Sequence, residues 1–399
     1  MRIAVVLATG FSTSRFADAG AYQFAARTLS QTLTYPKRTE EFLFRPPGYP
    51  VLLALTTLGR PDRVAAARLA NAAVGALCPV LLAALSARLF RRRGLALATG
   101  LLAALHPTLA LVASDIQSEP LFIALLLSAG YLLLAATDRP SSNLAVLAGV
   151  CLALAALTRS SALALVPFLL APLCDARHPR RANAHIALSA LLGFAAALAP
   201  WTLRNAVVFR ELIVVNDGAG YVFYGRNCDA ALGLGQARDR AELARAVLAI
   251  DAARRERIAA LPPAGQDSPG RLSRALTAAA LSERRANPRG TARLLAWKTW
   301  DWLRPYPDPR FWPRWAVFAA GAWFSALFLC AAIGFARAER IGASAFCLAF
   351  LAATMLVHVA LETNWRYRTA NWDPVVLLYA ASGAASLLGP RRRAPRTPS

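Results

Sequence analysis

Negative charge is what this chain has least of. Its 399 residues carry 22 Asp and Glu against 45 Lys and Arg, a formal net charge of +23 with a pI near 11.2. Such an excess of base would suit nucleic acid, but the arginines lie mostly between apolar runs rather than in one basic domain, which argues against that partner. Histidine is scarce too: His106, His178, His185 and His358 are the whole set, and no two stand at metal-ligand spacing. Of the cysteines Cys78, Cys151, Cys174, Cys228, Cys330 and Cys347, only Cys228 lies clearly outside an apolar run. One exposed thiol builds neither a disulfide framework nor a zinc site. A phosphate-cradling glycine loop, a dinucleotide fingerprint and a Ser-His-Asp arrangement are all missing. What is abundant is apolar: 57% hydrophobic residues, a mean hydropathy of +0.41 and only 17% charged residues. That is too apolar for a soluble domain of this length, and the charges cluster, leaving runs such as Leu95 to Ala113 without any. In a bilayer such a run must satisfy its own backbone N–H and C=O groups, so it is a helix. The expected fold class is an all-α polytopic membrane protein.

Ten apolar segments can be drawn: Ile3 to Ser12, Leu69 to Phe90, Leu95 to Ala113, Pro120 to Thr137, Leu144 to Leu157, Ser161 to Cys174, Ile186 to Leu203, Trp315 to Ala336, Gly342 to Leu361 and Pro374 to Leu388. Counted from a cytoplasmic start, the inside turns receive Arg88 with Arg91 to Arg93, Arg139, Arg177 with Arg180 and Arg181, Arg337 with Arg340, and the Arg391 to Arg396 tail. The positive-inside rule is met at each of them. The stretch Arg204 to Arg314 falls outside and is arginine-rich, but it is longer than the loops to which the rule applies. The first segment, about ten apolar residues, is shorter than the roughly 17 to 25 that span a bilayer, so either the true start lies upstream or this helix is partial.

The outside loops have structure of their own. Tyr22, Ala25, Ala26, Leu29 and Leu33 recur at helical spacing, and Tyr49 to Leu58 is apolar but short, so both read as helices lying at the interface. Ala241 to Ala260 and Leu272 to Ser282 read as further amphipathic helices, parted by the breaker Pro262, Pro263 and Gly265. Trp297, Trp300, Trp302, Trp312 and Trp315 gather before the next span as an interfacial belt would. The polar, glycine-rich stretch from Asn216, Asp217 and Gly218 to Tyr224, Gly225 and Asn227 reads as a turn between two short strands.

Because acids are few, those at membrane edges stand out: Asp18 after the first span, and Asp115 and Glu119 between the third and fourth. Asp18 suits a helix N-cap for Ala19 onward, or a general base whose basicity is set by desolvation and nearby cations. Glu119 beside Pro120 suits the positive end of a helix, as an acid in its first turn. Arg159, Arg204, Lys298, Arg366 and Arg368 lie at the same depth. Each alone fits ordinary headgroup contact, while as a set they fit a lipid-linked phosphate, which a planar guanidinium grips through two hydrogen bonds.

The ordered series of motifs resembles the GT-C class of polyprenyl-phosphate-sugar glycosyltransferases, in particular the bacterial family 39 and RgtA/B/C/D-like enzymes. Asp18 with Tyr22 and Ala25 resembles the acidic motif of the first outside loop, and Arg45-Pro46-Pro47-Gly48-Tyr49-Pro50 resembles the Pro-Pro interfacial helix. Arg68 and Asn71 open the next span. Ser118-Glu119-Pro120-Leu121-Phe122, the Ala155 to Ser160 element, and Pro200-Trp201-Thr202-Leu203-Arg204-Asn205 follow in order. Asn216-Asp217-Gly218, Tyr224-Gly225-Arg226-Asn227 and Arg366-Tyr367-Arg368 complete the series. The chain departs from many relatives in following Asp18 with Ala19 and Gly20 instead of a second acid.

The resemblance implies a GT-C fold of about ten transmembrane helices, with an N-terminal transmembrane module (1–203, its first outside loop 13–68), an outside subdomain (204–314) and a C-terminal transmembrane part with a basic tail (315–399). It implies inverting sugar transfer from a polyprenyl phosphate to a glycolipid, lipopolysaccharide or protein acceptor at the periplasmic face of a bacterial inner membrane. Asp18 would be the base, with Glu119 or Asp115 orienting. Arg204, Arg366, Arg368, Arg159 and Lys298 would hold the phosphate, and Tyr22, Pro47, Tyr49, Asn205, Asn216, Asp217, Tyr224 and Asn227 would position substrate. No cofactor is required by that chemistry, and a divalent cation is compatible with it. The competing class is a transporter or flippase of lipid-linked saccharides, which calls for ionisable residues near mid-membrane and inverted repeats. Here the charges sit at span ends and no internal repeat is evident.

Overall fold

The computed structural model describes residues 1–8, 18–36, 45–60, 62–262, 268–338 and 341–388. Among them every regular element is helical and there is no strand. The first part of the chain forms α1 (Arg2–Ala8), α2 (Asp18–Thr32), α3 (Gly48–Thr56), α4 (Val64–Phe90), α5 (Arg93–Leu105), α6 (Pro107–Ala113), α7 (Glu119–Asp138) and α8 (Ser142–Thr158). A 3-10 run, Ser160–Cys174, leads into α9 (Arg180–Phe209). A cluster of α10 (Ala219–Asn227), α11 (Leu232–Gln236), α12 (Arg240–Ala259), α13 (Pro269–Ala286) and α14 (Pro288–Leu303) comes next. The chain ends in α15 (Arg314–Ala336), α16 (Ile341–Ala360), α17 (Trp365–Asn371) and α18 (Asp373–Leu388).

Four helices, α4, α7, α9 and α15, are long and apolar enough to cross a membrane, and the pair α5 and α6, bent by 57°, makes a fifth. Shorter apolar helices at Ser142–Thr158, Ser160–Cys174, Ser344–Ala360 and Asp373–Leu388 coincide with four more expected spans. The apolar helices make this a multi-pass membrane protein. The expected first span is seen only as the seven residues of α1, and residues 9–12 lie outside the described part. The break between α5 and α6 has a local cause: His106 precedes Pro107, whose ring disfavours helical geometry in its predecessor, and His106 is extended (φ −67°, ψ 118°). Its Nδ1 then accepts from the Leu109 N–H at 3.4 Å and caps α6.

Bilayer helices gain little from hydrophobicity against each other, so close packing of small residues holds the bundle. A Cβ at Gly149 of α8 would overlap the Ala190 carbonyl of α9, and one at Gly193 would overlap the Val146 carbonyl, so glycine is what lets these helices touch. Gly334 and Gly383 do the same for α15 and α18.

Two local expectations are corrected. Residues 219–227, read as part of a turn between strands, form α10, which lies against α13 with Gly220 so close to the Ser273 backbone that any Cβ would collide. Cys228, expected to be exposed, is buried in the core of this cluster with Tyr224, Leu234, Ile250 and Leu276; the exposed thiol is Cys174. The tryptophans divide as well: Trp302 is buried at 1% exposure, whereas Trp300, Trp312 and Trp315 remain exposed as a belt requires.

Candidate functional site

At one end of the bundle α2, α3 and α17 cover the turn between α6 and α7. The turn is built from behind by α4. Arg68 Nε donates to the Ser114 carbonyl at 2.8 Å, and Asn71 Nδ2 donates to the carbonyls of Asp115 and Gln117 at 2.5 and 2.8 Å. Asp115 is fully buried and its Oδ1 accepts from the Ile116 N–H at 2.7 Å, so it braces the turn. α3 is seated by Pro47, its N-cap, and by Gly48, whose missing side chain admits the Thr158 hydroxyl and the Leu157 carbonyl. Tyr49 is thereby buried and meets Tyr22 of α2 edge-on, with ring centroids 4.8 Å apart.

Five chain segments then bring charge together. Asp18, in the first turn of α2, pairs through Oδ1 with Arg45 Nη2 at 2.5 Å and through Oδ2 with Arg366 Nη2 at 2.9 Å. Arg366 also donates to Gln117 Oε1 and lies 3.8 Å from Glu119 Oε1. Arg159, just after α8, pairs with the same Glu119 oxygen at 3.1 Å and donates to Ser118 Oγ at 3.0 Å, the oxygen that also accepts from the Tyr22 hydroxyl at 3.0 Å. Glu119 is only 1% exposed, yet neither of its oxygens has an aligned hydrogen bond among the described residues, and the same holds for Gln117 Nε2 and the Tyr49 hydroxyl. Three guanidinium groups thus face two carboxylates. Burial pushes the Asp18 carboxyl up, but Arg45, Arg366 and Arg159 outweigh it and hold the group below its ordinary value. Burial works against the charge of each of these three arginines, but Tyr22 and then Asp18 around Arg45, and Glu119 and then Tyr367 around Arg159 and Arg366, outweigh it and strengthen all three as cations.

Arg204 of α9 stands beside this cluster. It donates to the Tyr35 carbonyl at 2.9 Å and Asn205 Oδ1 at 3.1 Å, and lies 5.0 Å over the Trp201 ring. Arg204, Arg45, Tyr35, Asn216 and Asp217 line one narrow cleft. Asn205, expected to position substrate, is buried and donates to the Ile213 and Val215 carbonyls at 3.0 and 3.2 Å, while Trp201 Nε1 donates to Val215 at 2.7 Å. These bonds pin the strap that carries Asn216 and Asp217 to the cleft. Burial pushes Asp217 up to about 6.

Other expected site residues lie apart. Lys298 is buried, donates to Asn227 Oδ1 at 2.9 Å and reaches the carbonyls of Ala360 and Leu361 at 3.4 and 3.3 Å, with burial pushing it down to about 7. Asn227 Nδ2 donates to Ala360 at 3.0 Å, so the pair caps the end of α16. The Tyr224 hydroxyl donates to Glu283 within the helical cluster. Arg368 points away from Arg366: two positions along a helix turn a side chain by about 200°. It donates to the Arg304 carbonyl at 2.5 Å and faces Asp373 at 3.6 Å. Sequence reasoning gave no role to Arg45, Gln117, Ser118 or Tyr367; the first was visible only as the arginine before the Pro-Pro pair.

Residues 44–203 match the family model described as dolichyl-phosphate-mannose-protein mannosyltransferase. A search of curated proteins finds no match. Among solved structures the chain is similar to the archaeal oligosaccharyltransferase AglB from Archaeoglobus fulgidus in complex with an inhibitory peptide and a dolichol-phosphate. That likeness has a TM-score of 0.57 and 14% identity, and covers 95% of this chain and 47% of that one. The Archaeoglobus fulgidus oligosaccharyltransferase in complex with Zn and sulfate gives a TM-score of 0.55 and 14% identity over 93% of this chain and 45% of that one. The chain therefore spans about half the length of these structures, as the 47% and 45% coverages state. ArnT from Cupriavidus metallidurans in the apo state covers 96% of this chain and 77% of that one at 17% identity, with a TM-score of 0.41. The oligosaccharyltransferase likeness identifies the fold: this is the GT-C fold that the order of motifs led us to expect.

Proposed function

We propose that this chain is a membrane glycosyltransferase that moves a sugar from a polyprenyl phosphate to an acceptor hydroxyl, on a periplasmic glycolipid, lipopolysaccharide included, or on a protein, at the outer face of a bacterial inner membrane. The observation that carries this reading is Asp18 held at the end of the helical bundle between Arg45 and Arg366, next to the Arg159–Glu119 pair. A carboxylate beside several guanidinium groups is what transfer from a lipid phosphate needs: a proton acceptor and a cradle for the charge that the departing phosphate gathers. The cluster's excess of one positive charge suits an anion better than a divalent cation.

The same arginines that weaken Asp18 as a base tie its activation to the donor. A phosphate bound by Arg45 and Arg366, with Arg204 flanking, draws their charge from Asp18, and its basicity rises as it is released. The acceptor hydroxyl then gives its proton to Asp18 as its oxygen attacks the anomeric carbon in line, and the polyprenyl phosphate leaves against the guanidinium groups. Asp18 must be ionised to act, so activity falls as pH drops through its pKa. The acid limb of kcat/KM, which reports the free enzyme, is expected below the ordinary aspartate range, and that of kcat, which reports the donor complex, at higher pH. Coincident limbs in the two pH profiles would contradict this coupling.

In-line displacement also predicts that the product carries the opposite anomeric configuration to the donor, readable by NMR of the transferred sugar. Retention of configuration sinks the mechanism. The broken helix at His106, with Asp373 and Arg368 buried beside it, is a feature a transporter would share. All three residues sit at helix ends or at the break, and none faces the Asp18 cluster.

A further inference from the structure

A column of rings runs through the protein and ends on Arg159. Trp302 of α14 stacks on His358 of α16, with centroids 4.9 Å apart and planes 15° apart. His358 lies 5.2 Å from Tyr367 of α17 at 32°. The Arg159 guanidinium rests over the Tyr367 ring, 4.6 Å from its centroid, while its Nη1 faces Glu119 at 3.1 Å. The column is fixed sideways as well. The Tyr367 hydroxyl donates to Glu362 Oε2 at 3.2 Å, and Glu362 Oε1 is paired with Arg226 of α10. The turn bearing Glu362 is held in turn by Asn227 and Lys298 on the Ala360 carbonyl.

A guanidinium has a flat face and a directional edge, so a ring under the face sets where the N–H groups point. We propose that Tyr367 is a positioning residue, which with its backing by His358, Trp302 and Glu362 aims Arg159 at Glu119 and at the departing phosphate. The helical cluster α10–α14 thereby has a mechanical link to the site, through Arg226 to Glu362 and through Trp302 to His358. This role rests on the transfer reaction proposed above.

The test compares Tyr367→Phe, which keeps the ring, with Tyr367→Leu, which removes it, in the full chain reconstituted in lipid. Tyr367→Leu is expected to lower kcat for donor consumption by roughly 100-fold, the scale on which a small misplacement of a catalytic group acts, with the donor KM within about threefold. Tyr367→Phe should stay within about tenfold of wild type, losing one hydrogen bond only. A second readout needs no turnover: modification of Arg159 by an arginine-selective dicarbonyl, followed by peptide mass spectrometry. It should quicken several-fold in Tyr367→Leu and not in Tyr367→Phe. Wild-type protein that consumes no donor fails the transfer reading, and the labelling rates still decide the role of Tyr367. If wild type is active and Tyr367→Leu changes neither kcat nor labelling, the positioning role is wrong. Equal damage in Tyr367→Phe overturns it too, since the hydroxyl and not the stack would then matter.

Discussion

Asp18→Asn is expected to lower kcat by about 100-fold or more, the range over which a positioned general base contributes, while the donor KM stays the same or falls. Asparagine fills the same space but takes no proton. It also ends the ion pairs with Arg45 and Arg366, which now stand at 2.5 and 2.9 Å, and so leaves both guanidinium groups unopposed for a phosphate. The split between the two constants separates a base from a scaffold: loss of a merely structural aspartate would damage binding and turnover together. Steady-state release of polyprenyl phosphate across donor concentrations measures both. A variant that keeps more than about a tenth of wild-type kcat would remove Asp18 from the role of base.

The second large effect is on stability. Asp373→Ala is expected to cost about 3–5 kcal/mol of unfolding free energy, because breaking one side of a buried ion pair strands the other charge. Asp373 is 1% exposed and is the acid that faces Arg368 Nε at 3.6 Å, with His106 Nε2 at 3.7 Å and the Thr108 hydroxyl donating at 3.3 Å. Without it Arg368 keeps the Arg304 carbonyl and the rings of Phe324 and Phe328, 4.9 and 5.5 Å away, which solvate a cation only in part. Asp373→Asn keeps an acceptor for Thr108 and should cost less. Reversible unfolding in mixed micelles measures the difference. A cost below about 1 kcal/mol for Asp373→Ala would mean that the Arg368 charge is balanced elsewhere.

What the sequence disclosed follows from how local each signal was. The stripe Tyr22, Ala25 and Ala26 is a one-helix pattern, and all three residues are buried on α2 as their spacing requires. Asp18 was conspicuous because acids are rare here, and Glu119 because it sits beside a proline at a helix start. Arg45 left no such trace: its partner lies 27 residues away, and only the packing of α3 brings them together. Arg366 and Arg368 read as one motif, yet helical rotation sends one to Asp18 and the other to Asp373, a division visible in advance had residues 365–371 been drawn as a helix. Asn205 was expected to position substrate because the resemblance of the Pro200 to Asn205 motif implies it. Its carbonyl partners, 8 and 10 residues on, belong to a strap whose path no local rule predicts. Gly220 misled in the opposite sense, since a glycine in a polar stretch signals a turn, whereas here it serves the close approach of α10 to α13.

The most direct measurement is the fate of a polyprenyl-phosphate sugar presented to the purified protein in lipid vesicles. Glycosyl transfer predicts release of free polyprenyl phosphate by wild type, matched by sugar gained on the acceptor, with little release by Asp18→Asn. Intact lipid-linked sugar crossing the bilayer with no phosphate set free would contradict it and make the chain a transporter.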